Sequence, residues 1–104
     1  DAGEKVRGYE VDRRLKERFE QLGCAQYLMH RTGHNIGHRC HGIGANLDDY
    51  ETHDDRCLLP GTMFSIEPGL YTDKYGVRLE YDVHITSEGE TKVYGPVQDE
   101  ILVI

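Results

Sequence analysis

The chain has 104 residues, of which 38% are hydrophobic and 30% charged, with 12 Gly and 3 Pro. Those proportions describe an ordinary globular domain rather than a disordered segment, and a unit this size buries roughly two thirds of the surface its unfolded chain exposes. A formal net charge of −7 argues against a nucleic-acid or anionic-membrane surface, which needs clustered Lys and Arg, and no apolar run approaches the length of a membrane span.

From Gly8 to Leu22, apolar residues recur at Val11, Leu15, Phe19 and Leu22. That spacing puts one stripe on an α-helix, and Gly23 supplies its stop. The basic residues Arg13, Arg14, Lys16 and Arg18 are interleaved with Asp12, Glu17 and Glu20, as on a solvated helix face. Nothing before this helix has the form of a secretory signal. The chain begins at Asp1 without Met, so an upstream segment is expected to have been removed or never included.

Between His30 and Gly44, glycines at 33, 37, 42 and 44 break any long helix, and four of the six histidines fall at 30, 34, 38 and 41. Imidazole is the commonest ligand for transition metals. His30 and His34 share the i, i+4 spacing of a zinc helix, but Arg31 stands where that motif needs Glu, and Gly33 is a poor helix former. His38, His53 and His84 are expected to be solvated or satisfied by the fold. Residues 45 to 61 are rich in acidic and turn-forming types and end in Leu59-Pro60-Gly61, the pattern of a surface loop.

Two strands are predicted next. Met63 to Glu67 places Met63, Ser65 and Glu67 on one face, opposite Phe64 and Ile66. Val77 to Ile85 places Arg78, Glu80, Asp82 and His84 together, opposite Val77, Leu79, Tyr81, Val83 and Ile85. Shorter strands are expected at Thr91 to Tyr94 and Ile101 to Ile104, separated by Gly95-Pro96.

A hairpin folded near Asp73-Lys74 sets Glu67 roughly opposite Glu80. Like charges directly across a sheet repel, and a divalent cation between them turns that repulsion into coordination. The competing reading is an exposed face with a Glu67–Arg78 or Glu80–Arg78 ion pair. The cysteines Cys24, Cys40 and Cys57 form no C-x-x-C pair, and their odd number leaves at least one thiol unpaired. A reducing, cytoplasmic setting fits that usage.

Taken together, His30-Arg31-Thr32-Gly33-His34-Asn35-Ile36-Gly37, His41, Phe64-Ser65-Ile66-Glu67-Pro68-Gly69 and Gly76-Val77-Arg78-Leu79-Glu80 resemble the M24-type, pita-bread metallopeptidases. Within them the match looks nearest to Xaa-Pro aminopeptidases and Xaa-Pro dipeptidases (prolidases). The resemblance runs from about Gly3 to Ile104. It implies an α+β fold in which residues 1–104 are the C-terminal half of the catalytic domain, an antiparallel curved sheet packed on helices.

Carried over residue by residue, the resemblance makes His34, Glu67 and Glu80 metal ligands, with Glu80 bridging two ions. It gives His30 and His41 contacts to substrate and to the tetrahedral intermediate, and it gives Arg78 a supporting place beside the carboxylates. Glu67 doubles as the group that takes a proton from the attacking water. The implied cofactors are two divalent ions, manganese first, with cobalt or zinc as substitutes. The implied substrate is a peptide with proline at its second position.

Two aspartate ligands that the family draws from its other half have no counterpart here, and Asp48, Asp49, Asp54 and Asp55 do not occupy ligand positions. Three further readings follow: a piece inactive without that missing half, a homodimer of two half-domains covering each other, and a non-catalytic peptide- or protein-binding module. Creatinase-like hydrolysis of another C–N bond is the alternative within the enzyme class.

Overall fold

A computed structural model describes residues 5–103. The first element is helix α1, Gly8–Gln21, followed by a single 3-10 turn at Ala25–Tyr27. Leu22 caps α1, and Gly23 follows at φ +76, a left-handed conformation that suits glycine and ends the helix as expected. Of the apolar stripe, Val11 packs against the core, Leu15 and Phe19 are half-buried, and Leu22 is exposed. The helix is also held by polar contacts. The Asp12 carboxylate is buried and accepts hydrogen bonds from the backbone N–H and hydroxyl of Thr32, and from the backbone N–H of Asp49.

Six short strands follow: β1 Asn35–Ile36, β2 Met63–Ile66, β3 Gly69–Tyr71, β4 Gly76–Arg78, β5 Tyr81–Ile85 and β6 Thr91–Tyr94. Four form an antiparallel sheet in the order β1-β2-β5-β6, and β3 and β4 form a two-stranded extension. Among the described residues one α-helix, rather than several, accompanies the sheet.

The hairpin register is the one expected from the sequence. Ile66 pairs with Tyr81 and Gly69 pairs with Arg78, which leaves Glu67 and Pro68 facing Leu79 and Glu80. The strands themselves are interrupted there. Pro68 has no N–H to give the ladder, so β2 ends at Ile66 and the expected continuous strand from Val77 divides into β4 and β5. One bond crosses the gap, from the Leu79 N–H to the Pro68 carbonyl at 3.3 Å. Thr72 closes the turn, its hydroxyl accepting from the N–H groups of Lys74 and Tyr75.

The core proper is small: Leu47, Phe64 and Val83 are buried, with Val11, Leu58, Ile66 and Ile85 packed around them. Leu47 belongs to the segment expected to be a surface loop, and Ala45, Asp48 and Asp54 of that segment are buried too. Carboxylates make this possible by satisfying loop N–H groups that burial strips of water. Asp48 Oδ1 accepts from Tyr50 and Glu51, while Asp54 accepts from Asn46 and Arg56. The Arg56 guanidinium, aided by those N–H donors, holds the Asp54 carboxyl down at about 2.

The apolar faces of the other predicted strands are less covered than alternation suggests. Val77, Leu79 and Val93 are exposed. Residues 101–103 form no strand, and Ile104 lies outside the described residues. All three cysteines are free thiols.

Candidate metal and peptide site

β1 is extended toward its N-terminal side by hydrogen bonds that continue its pairing with β2. Ser65 N–H donates to the His34 carbonyl at 2.9 Å, and Glu67 N–H donates to the Thr32 carbonyl at 2.7 Å. His34 and Glu67 are therefore diagonal neighbours on one sheet face, close enough for long side chains to meet. Gly33 is required between them, since a Cβ there would collide with the Ser65 carbonyl oxygen.

Glu67 Oε1 sits 2.9 Å from His34 Nε2 and accepts the Ser65 hydroxyl at 3.0 Å. Its Oε2 faces the Arg78 guanidinium at 3.9 Å. Ser65 is fully buried and also accepts the His34 backbone N–H at 3.1 Å. One hydroxyl thus ties the Glu67 carboxylate to the His34 backbone.

His34 is buried, and its two ring nitrogens face unlike neighbours. Nδ1 lies 3.0 Å from the Asn35 carbonyl oxygen, while Nε2 points at the Glu67 carboxylate. Both oxygens accept and neither donates. The arrangement is satisfied by a ring bearing hydrogen on both nitrogens, or by a neutral ring whose Nε2 and Glu67 share a metal ion. A backbone carbonyl holding the remote N–H is the usual way a ligating histidine is oriented, so these residues fit a divalent ion.

His41 lies against His34, with ring centroids 4.3 Å apart. The loop that brings it there is anchored at its base on Asn35, which accepts the backbone N–H groups of Gly42 and Gly44. His30 is engaged at both nitrogens, Nδ1 with the Arg31 carbonyl and Nε2 with the Tyr71 hydroxyl, each at 2.7 Å. His30 can offer Nε2 to a substrate only by exchanging that hydroxyl. Tyr71, on β3, was not singled out by sequence.

His30, His34, His41, Glu67 and Arg78 line one open cavity of about 140 Å³, joined by Arg31 and Glu51. Arg31 faces Asp48 at 3.7 Å, whose Oδ2 is buried and has no hydrogen-bond partner. Glu80 stands apart. It is exposed, lines a neighbouring groove with Arg78, Leu79 and Tyr94, and does not line the cavity. His53 is exposed and bonded to Asp49 at 2.7 Å, and together with Arg13 it holds the Asp49 carboxyl below the usual range. His38 is exposed, and His84 lies on β5 beside the Tyr94 hydroxyl at 3.5 Å. None of these three lines the cavity.

The profile described as metallopeptidase family M24 matches residues 2–87. A probable dipeptidase PepE of Mycobacterium tuberculosis (strain H37Rv) is 36% identical over 90 residues, covering 85% of this chain and 23% of the relative. An Xaa-Pro dipeptidase of Pyrococcus furiosus is 32% identical over 85 residues, covering 81% of this chain and 23% of the relative. Among solved structures, an Xaa-Pro dipeptidase from Bacillus anthracis superposes with a TM-score of 0.80 at 32% identity, over 96% of this chain and 27% of that one. An X-Pro aminopeptidase from Thermotoga maritima superposes at 0.78 with 27% identity, over 96% and 27%. The chain spans about a quarter of the length of the relatives it matches.

Proposed function

Because this chain belongs to metallopeptidase family M24 and superposes on about a quarter of an Xaa-Pro dipeptidase, we propose that it is the C-terminal half of the catalytic domain of an Xaa-Pro metallopeptidase. The observation that carries this reading is the 2.9 Å approach of His34 Nε2 to Glu67 Oε1 in a cavity shared with His30, His41 and Arg78.

In this reading His34, Glu67 and Glu80 would hold the divalent ions, His34 and Glu67 from positions already within 2.9 Å of each other. Two bound ions, manganese by the oxygen-rich donor set, would supply Lewis acidity toward the scissile carbonyl and a lowered pKa for the attacking water. Arg78 neutralises one Glu67 oxygen and keeps the carboxylate aimed at His34. His41, exposed at the cavity mouth, is free to donate a hydrogen bond to the oxyanion that develops from the carbonyl. Tyr71 holds His30 by its Nε2 until substrate displaces the hydroxyl. Glu67 also takes the proton of the attacking water, on a carboxylate that Ser65 holds in place through Oε1.

The substrate in this reading is a peptide with proline second, and the compartment is the cytoplasm, where three free thiols persist. The ligands this chain lacks come from a complementary half, supplied by further polypeptide or by a second copy. The test compares cleavage of an Xaa-Pro dipeptide by the 104-residue chain alone with cleavage by the chain joined to a half bearing two aspartates. Manganese-dependent turnover by the joined protein only is expected. Robust turnover by the chain alone would overturn the half-site reading, and absence of any manganese, cobalt or zinc binding in calorimetry would overturn the metal reading.

A further inference from the structure

Cys40 has no place in the hydrolytic scheme, yet its thiol stands beside two of that scheme's histidines. One ligand atom each of His34, Cys40 and His41 lie within 4.8 Å of one another. We propose that these three residues form a second, soft metal site that takes zinc(II). Zinc–sulfur and zinc–nitrogen bonds in a tetrahedral site place donor atoms about 3.3–3.6 Å apart. The trio therefore needs at most about 1.5 Å of closure.

The fold allows that movement on one side only. His34 is buried and fixed to Ser65 and Asn35, whereas Cys40 and His41 are exposed on a loop. The loop is tethered close to His34, because Gly42 and Gly44 both bond to Asn35. Gly37 further donates to the Arg39 carbonyl at 3.1 Å, tightening the turn before Cys40. One buried ligand and two exposed ones on a short tether suit a site that assembles on its ion.

Donor chemistry selects the occupant. One thiolate and two imidazoles favour zinc over manganese, which prefers oxygen, and three protein ligands leave the fourth tetrahedral position open. On binding, the Cys40 S–H bond gives way to a zinc–sulfur bond and its proton passes to solvent, with no change of oxidation state.

The site shares His34 with the hydrolytic centre. His34 Nδ1 is committed to the Asn35 carbonyl, which leaves Nε2 as its one metal-binding nitrogen. Zinc held with Cys40 and His41 therefore withdraws that nitrogen from the Glu67 side. Zinc opposes activation by manganese; that consequence rests on the proposed function, whereas zinc binding itself does not.

The experiment titrates the metal-free protein with cobalt(II) and follows the thiolate-to-cobalt charge-transfer band, then displaces cobalt with zinc. The wild-type protein is expected to show the band and lose it at one equivalent of zinc. Cys40→Ser should abolish the band and weaken zinc binding by about tenfold or more. His41→Asn should weaken zinc binding comparably, and Cys57→Ser should leave both readouts unchanged. A wild-type protein without the band, or a band that survives Cys40→Ser, overturns the proposal. Manganese-dependent cleavage by the joined protein, measured separately, tests the proposed function and does not depend on either result.

Discussion

Removing the Asp12 carboxylate should destabilise the protein by more than any change on the outer face of α1. Asp12 is 8% exposed and Thr32 is 1% exposed. Three donors meet the carboxylate: Thr32 N–H at 2.9 Å, the Thr32 hydroxyl at 2.6 Å and Asp49 N–H at 2.6 Å. Hydrogen bonds to a charged group contribute about 1.5–3 kcal/mol each, and water entering the gap recovers part of the loss. Asp12→Ala is therefore expected to cost about 3–5 kcal/mol, a large share of the roughly 5–15 kcal/mol that holds a domain folded. Asp12→Asn is the sharper variant. It keeps Oδ1 as an acceptor for both Thr32 donors but turns an amide N–H toward that of Asp49, for about 1–2 kcal/mol. Denaturant midpoints at constant slope measure both. An alanine variant that loses less than about 1 kcal/mol, or an asparagine variant as damaged as the alanine one, would refute the reasoning.

Acid should attack a different carboxylate. Asp54 has a folded pKa of about 2 against an ordinary 3.8, so its stabilising contribution is complete above about pH 4 and disappears as pH falls toward 2. With Arg56 half exposed to solvent, that contribution is on the order of 1–2 kcal/mol; Asp54→Asn should flatten this part of the stability-versus-pH curve, and an unchanged curve would count against the Arg56 pairing. Leu47→Ala, at a fully buried site, should cost about 2–5 kcal/mol. Leu59→Ala, at a side chain that is 59% exposed, should stay within about 0.5 kcal/mol by the same midpoint measurement.

What the sequence made legible was pattern repeated at short range. The α1 stripe, its glycine stop, the alternation in β2 and β5, and the hairpin register all follow from spacing. They appear in the structure with shifts at element ends. Pro68 was visible too, and its missing N–H accounts for both strands breaking at one level. What could not be read was pairing between distant segments of irregular chain. Asp12 meets Thr32 and Asp49 across 20 and 37 residues, and Tyr71 meets His30 across 41. Segment 45 to 61 has the composition of a solvated loop, but its Asp48 and Asp54 carboxylates turn inward to serve N–H groups. Composition records that Asp is polar, not which way it faces.

Directional polar contacts of this kind explain how so small a core positions a site. Leu47, Phe64 and Val83 alone could not hold the non-repetitive stretch from Arg31 to Asn46, because side chains packed by dispersion fix distance poorly where no ladder runs. Directional bonds do that work. Asp12 fixes Thr32, Thr32 accepts from Glu67, Ser65 links His34 to Glu67, and Asn46 accepts the Asn35 N–H at 2.8 Å. Each residue in this series sits within two positions of a proposed ligand or is bonded to one that does. Glu80 has no such partner among the hydrogen bonds of the described residues, and it is the one proposed ligand that does not line the cavity. The Asp12, Glu67 and Asp49 carboxylates have backbone, hydroxyl or cationic side-chain donors; Glu80 has none, so in the proposed function its position would be fixed by the ion.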